Sequence, residues 1–208
     1  MKVLLGPKKH KFCVHEGLLR SHSPFFEAAL SKDWKEAKER AVELPEHTAG
    51  AFRMYVQWLY GGKLQYEVKE VNTAVFVELY LLGEALMDQG FQDHVIDCLV
   101  QCSRLIDQTS TAYGRKTFYP TIRDVNAAYQ GTMAGSPLRQ LLIDWHVLYG
   151  KGSWMLRSVG ENNEEFLVDL VKALLEKRTE PNLQKHPELE QLRYRDPPTR
   201  YHHHRVNK

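Results

Sequence analysis

Long hydrophobic runs are missing from this 208-residue chain: the oiliest stretch, Val75–Leu82, is broken by Glu78. It is far shorter than the ~20 residues that a membrane-spanning helix needs. The opening Met-Lys-Val-Leu-Leu-Gly-Pro-Lys-Lys has too small an apolar core for a secretory signal. Cysteine is scarce, with Cys13, Cys98 and Cys102 alone, which excludes a disulfide framework and fits a reducing compartment. A charge excess is missing too: 28 Lys and Arg against 26 Asp and Glu leave +2, where a wholesale polyanion binder would be strongly basic. Local signatures of nucleotide and acyl chemistry are absent. Lys151-Gly152-Ser153 has phosphate-loop letters in the wrong order, with no Gly-x-x-x-x-Gly-Lys before it, and no Gly-x-Ser-x-Gly elbow occurs. What is present is 43% hydrophobic and 26% charged residues, enough apolar surface to offset the entropy of ordering a core. The composition reads as a soluble intracellular protein, cytoplasmic or nuclear, with no membrane role.

The first hundred residues read as a short sheet followed by helices. Lys2–Leu5 and His10–Val14 have strand composition and are separated by a Gly-Pro turn, and Phe12 and Val14 alternate with Lys11 and Cys13. Ala41–Leu44 is a third strand candidate, ended by Pro45. His15–Ser21 carries Leu18 and Leu19 on one side of a short helix. Ser23-Pro24 then supplies a cap hydroxyl followed by proline at the first helical position, ahead of Phe25, Phe26, Ala29 and Leu30. Phe52, Tyr55, Val56, Leu59 and Tyr60 recur at helical spacing, with Thr48 as cap and Gly61-Gly62 as stop. Asn72 caps a helix to about Met87 that is apolar on most sides, and Phe91–Ile106 forms an amphipathic one.

These residues, taken in order, resemble the BTB/POZ family, particularly its fungal forms. The likeness rests on Phe12, His15, Leu18, Leu19, Ser21, Ser23, Pro24, Phe25 and Phe26, then Leu44 within Val-Glu-Leu-Pro, then Phe52 through Trp58, Leu59 and Tyr60. It covers about residues 1–108 and implies a fold-stabilising role for those side chains. It also implies a non-catalytic protein–protein interaction module, in many members self-associating as a homodimer, in some recruiting a cullin-type ubiquitin ligase scaffold. The chain starts almost at the first core strand, so the resemblance is to a domain truncated at its N-terminus, without the segment exchanged in family homodimers. Glu16 stands where many members have a basic residue, which weakens any inherited charged pocket. Val68-Lys69-Glu70 resembles the apolar-x-Glu element of some ligase adaptors, and makes Val68 and Glu70 the candidate partner-binding residues.

The second half reads as helical. Residues 109–120 form a loop, Thr121 and Asp124 a capping box, and Ser136-Pro137 another cap-and-proline start. Leu138, Leu141, Leu142, Trp145, Leu148 and Tyr149 make one apolar stripe; Phe166, Leu167, Leu170, Val171 and Leu174 make another after Asn163. From residue 179 the pattern decays into a flexible basic tail, with Arg193, Arg195, Arg200, Arg205 and Lys208 against Asp196. The expected fold is therefore α+β and mostly helical: a small BTB/POZ-like sheet with a cluster of helices over 1–108, an all-α extension over 109–178, and the tail.

Weighed as chemistry, the remaining motifs favour structure. His15-Glu16 opens like the zinc-protease helix motif, but Leu19 stands at the second histidine position. His94, Cys98 and Cys102 span eight helical residues, about 12 Å, too far for one tetrahedral ion, and both cysteines lie on an apolar stripe. His202, His203 and His204 lack a rigid frame. No metal, cofactor or catalytic residue is assigned and no enzyme is expected. Protein is the expected partner, as a second copy or a cullin-type scaffold. The alternative is a nucleic-acid-associated regulator acting through the tail, against which the modest charge argues.

Overall fold

The computed structural model describes residues 1–31, 35–67, 72–109, 119–152 and 162–178. They fall into two compact units, Met1–Cys98 and Leu99–Lys208.

The first unit opens on a three-stranded sheet in the order β2–β1–β3, with β1 at Lys2–Leu5, β2 at His10–Cys13 and β3 at Ala41–Leu44. β1 pairs antiparallel with β2, Lys2 opposite Cys13, and parallel with β3, Lys2 opposite Ala41. Val3 and Leu5 face the core beside Val42 and Leu44, the period-two alternation of a sheet with one buried face. Gly6, at φ +65, opens the β1–β2 turn.

Helices α1 (Glu16–His22), α2 (Pro24–Ser31) and the short α3 (Lys35–Glu39) lie between β2 and β3. Helix α4 (Ala49–Gly61) starts where Thr48 Oγ1 accepts from the Ala51 N–H, and stops where Gly62 turns left-handed at φ 69. Helix α5 (Thr73–Leu86) starts at Asn72, whose Oδ1 accepts from Val75 N–H. It packs on α4 and α2. Its all-round apolar sequence is matched by burial of Phe76, Val77, Leu79, Tyr80, Leu82 and Leu86. Helix α6 (Gln89–Thr109) approaches α5 closely at Gly83, where a Cβ would stand 2.7 Å from Gln92 Cγ.

The second unit is helical where described, with α7 at Ile122–Gly131, α8 at Pro137–Tyr149 and α9 at Glu164–Arg178 packed on one another. The Thr121–Asp124 capping box forms, Pro137 takes the first position of α8, and Asn163 Oδ1 accepts from the Phe166 N–H ahead of α9. Val125, Tyr129, Ile143, Phe166 and Leu170 make its core. Two residues of the expected α9 stripe depart from it: Val171 is 52% and Leu174 43% exposed, because the helix turns only the Phe166–Leu170 edge inward. Arg139, Asp144 and His146 are buried on α8, although they lie outside the expected apolar stripe.

Candidate docking surface

The corner between α1 and α2 gathers many of the residues that the sequence singles out. Ser23 is fully buried; its Oγ accepts from Phe26 N–H (3.2 Å) and donates to the Leu86 carbonyl (2.6 Å), tying the start of α2 to the end of α5. Pro24 begins α2, and Phe25 and Phe26 meet edge to face at 5.3 Å. Leu19, Leu44, Phe52 and Leu59 are core residues. Leu18 and Phe12 are half-buried, Phe12 edge-on to Phe52 at 5.2 Å. Ser21 Oγ donates to the Leu18 carbonyl.

His15 stands at the N-terminus of α1 and meets Tyr60 at the end of α4. The Tyr60 hydroxyl accepts from the His15 backbone N–H at 3.2 Å and lies 2.5 Å from Nδ1. Glu16 pairs with Arg20 and Arg40. The two residues that open a zinc-protease-like motif are thus held in separate fold contacts. Trp58, half-buried, lies between His22 (5.1 Å) and Phe91 (5.2 Å), with Tyr55 stacked at 6.0 Å.

Beneath this aromatic group, Tyr55 Oη donates to Asp88 Oδ2 at 2.9 Å, while Asp88 Oδ1 accepts from Phe91 N–H at 3.0 Å. Burial raises the Asp88 carboxyl above the usual range and pushes the Tyr55 hydroxyl upward as well. His94 Nε2 accepts from Leu64 N–H at 3.2 Å and lies 3.6 Å from Cys98 Sγ; burial lowers its pKa. Among the described residues no group of three His, Cys, Asp or Glu could hold a metal ion. Tyr60 is 54% exposed, and so is Met87 at 60%, held in the left-handed region at φ 56 where α5 ends.

Residues 2–103 match the family model of the BTB/POZ domain. The chain carries a BTB/POZ domain. The match runs from β1 through most of α6 and ends before α7. No curated protein matches the chain. A BTB/POZ domain is a protein–protein interaction module, so protein partners follow from the domain itself. Among the described residues no helix is long and apolar enough to cross a membrane.

Within the BTB/POZ domain the structure joins residues that the sequence names separately: His15 to Tyr60, and Phe12 to Phe52. Val68, Lys69 and Glu70 lie outside the described residues, as do His202, His203 and His204. The sequence pattern singles out neither Asp88 nor the exposed, positive-φ position of Met87. Asp88 had a legible signal, since an aspartate three positions before Phe91 is a helix cap by residue type. Met87 had none, because a methionine gives no hint of positive φ.

Proposed function

We propose that the chain is a non-catalytic docking module that associates with a second copy of itself through its BTB/POZ domain. The observation that carries this reading is how the titratable groups of that domain are used. His15, Glu16, Asp88 and His94 each complete a helix end, a loop or an ion pair. Groups committed to holding backbone in place leave recognition to exposed surface such as Tyr60 and Met87. Light scattering behind size exclusion, run across protein concentration, tests it. A mass that rises to twice 24.2 kDa is expected, and a monomer mass throughout rejects self-association.

A second reading, supported by the Val68-Lys69-Glu70 sequence, is a substrate adaptor for a cullin-type ubiquitin ligase. Titration of the purified chain against a cullin scaffold tests it. Binding below about 10 µM is expected of a working adaptor, and none at tens of micromolar rejects it. Val68→Ala with Glu70→Ala should weaken any such binding.

A further inference from the structure

The sheet ends in an open edge at β2. β1 lies between β2 and β3, so among the described residues β2 has a strand on one side alone. The ladder decides which of its backbone groups face outward. Met1 and Val14 exchange both N–H···O bonds, at 2.8 and 3.1 Å. Antiparallel pairs alternate, so Phe12 and His10 turn their backbone groups to Val3 and Leu5. Those of Lys11 and Cys13 point away from β1. Among the described residues nothing hydrogen-bonds to the Lys11 or Cys13 backbone, and both residues are exposed. An edge of this kind is a template for another strand.

The side chains around the edge carry one sign of charge. Lys11 stands opposite Leu4 and Lys2 opposite Cys13, so the two lysines are diagonal neighbours on the outer face, roughly 7–8 Å apart. Lys8, Lys9 and His10 continue the run into the turn. Glu43 on β3 engages Lys9 at 2.8 Å. Among the described residues Lys2, Lys8 and Lys11 have no acidic group within ion-pair distance, and all three are exposed. On the opposite face Phe12 is half-buried, edge-on to Phe52.

We propose that the β2 edge docks an extended segment of a partner protein in which acidic and apolar residues alternate, adding it to the sheet as a further strand. Backbone pairing with Lys11 and Cys13 supplies affinity, and the alternation supplies choice. Acidic side chains on the outer face meet Lys11 and Lys2, while apolar ones on the other face meet the exposed part of Phe12. A second copy of β2 is the natural rival, because open edges pair with their own kind. Charge selects against it. Two β2 strands set antiparallel, edge to edge, can pair Lys11 with Lys11 or with Cys13 of the other copy. The two Lys11 side chains are then opposite or diagonal, and like charges so placed oppose the pairing. The inference does not depend on self-association of the domain.

Amide exchange followed residue by residue by NMR on the full chain tests the proposal. The probe is an end-blocked peptide of about eight residues alternating Glu and Val. At about 1 mM it should slow exchange of the Lys11 and Cys13 amides about fivefold or more. The Phe12 amide, already paired to β1, should be unchanged. Lys2→Glu/Lys11→Glu, which removes no core side chain, should abolish the effect. The same peptide N-methylated at all its amides should fail on the unaltered protein, where no folding defect can imitate the loss. Five results overturn the proposal. They are unchanged Lys11 and Cys13 exchange at that concentration, equal protection by a Lys-Val peptide, protection that survives Lys2→Glu/Lys11→Glu, protection that survives N-methylation, and protection that rises with protein concentration when no peptide is present. The last would make a second copy the occupant.

Discussion

Each unit buries a polar side chain at a helix terminus, but at opposite ends. In the BTB/POZ unit Ser23 stands ahead of α2 and Asp88 ahead of α6, each accepting a backbone N–H. In the second unit the buried Arg139 sits at a helix end. It donates to Thr132 Oγ1 (2.9 Å), to the Tyr129 carbonyl (2.8 Å) and to the Thr132 carbonyl, where α7 stops. An anion at the positive end of one helix and a cation at the negative end of another follow one electrostatic rule. The difference lies in compensation. Asp88 is held by the neutral Tyr55 hydroxyl and the Phe91 and Gly90 amides, with His22 nearby, yet burial outweighs them and raises the pKa of its carboxyl. Arg139 keeps Glu165 at 2.7 Å and stands over the Tyr129 ring at 4.3 Å. A buried cation with a carboxylate in contact can remain ionised; a buried acid held mainly by neutral donors is under pressure to take up a proton.

The sharpest way to break this comparison is Arg139→Ala. It strands the end of α7 and should destabilise the second unit by about 3 kcal/mol, seen as faster exchange in α7 and α8. Arg139→Met keeps the volume; equal stability there would show that packing matters and the bonds do not. Next comes Asp88→Ala, which removes the α6 cap and leaves the Tyr55 hydroxyl buried without its partner. About 2 kcal/mol is expected by denaturant unfolding. A double-mutant cycle with Tyr55→Phe should show coupling of about 1 kcal/mol, and zero coupling would mean the pair is incidental.

A smaller effect is expected from pH. Burial lowers the pKa of His94 in the first unit and of His146 in the second. The unfolded chain therefore takes up protons first as pH falls through about 6.5, so stability should be full above that value and decline below it. His94→Gln should flatten the decline in the first unit and His146→Gln in the second, followed by thermal melts from pH 7.5 to 5. The smallest effect belongs to Arg20 and Glu27, paired at 2.7 Å. Both are solvated, so Glu27→Gln should leave the melting curve unchanged within error.

The fold was legible in the sequence wherever one residue dictates local geometry. Thr48, Asn72, Thr121 and Asn163 each cap the helix that the pattern placed after them. The Ala41–Leu44 alternation gives the strand with those ends. What stayed hidden depends on partners distant in the chain. The Tyr60 hydroxyl reaches His15 across 45 residues, and Asp88 reaches Tyr55 across 33, which no periodicity encodes. Arg139 looks like a solvated charge in a Leu-rich helix until the end of α7 arrives over it. On α9 the expected buried stripe holds at Phe166 and Leu170 but not at Val171 and Leu174, because hydropathy alone does not say which surface covers a stripe.

Ser23 carries one more consequence. Followed by Pro24, it spells the dipeptide that proline-directed kinases read, yet its hydroxyl is fully buried and engaged both as donor and as acceptor. A phosphoryl group there would add about 1.5 to 2 negative charges against the Leu86 carbonyl. The folded corner therefore shields this serine from modification, and phosphate on Ser23 would mark chains in which the junction of α2 and α5 had already opened.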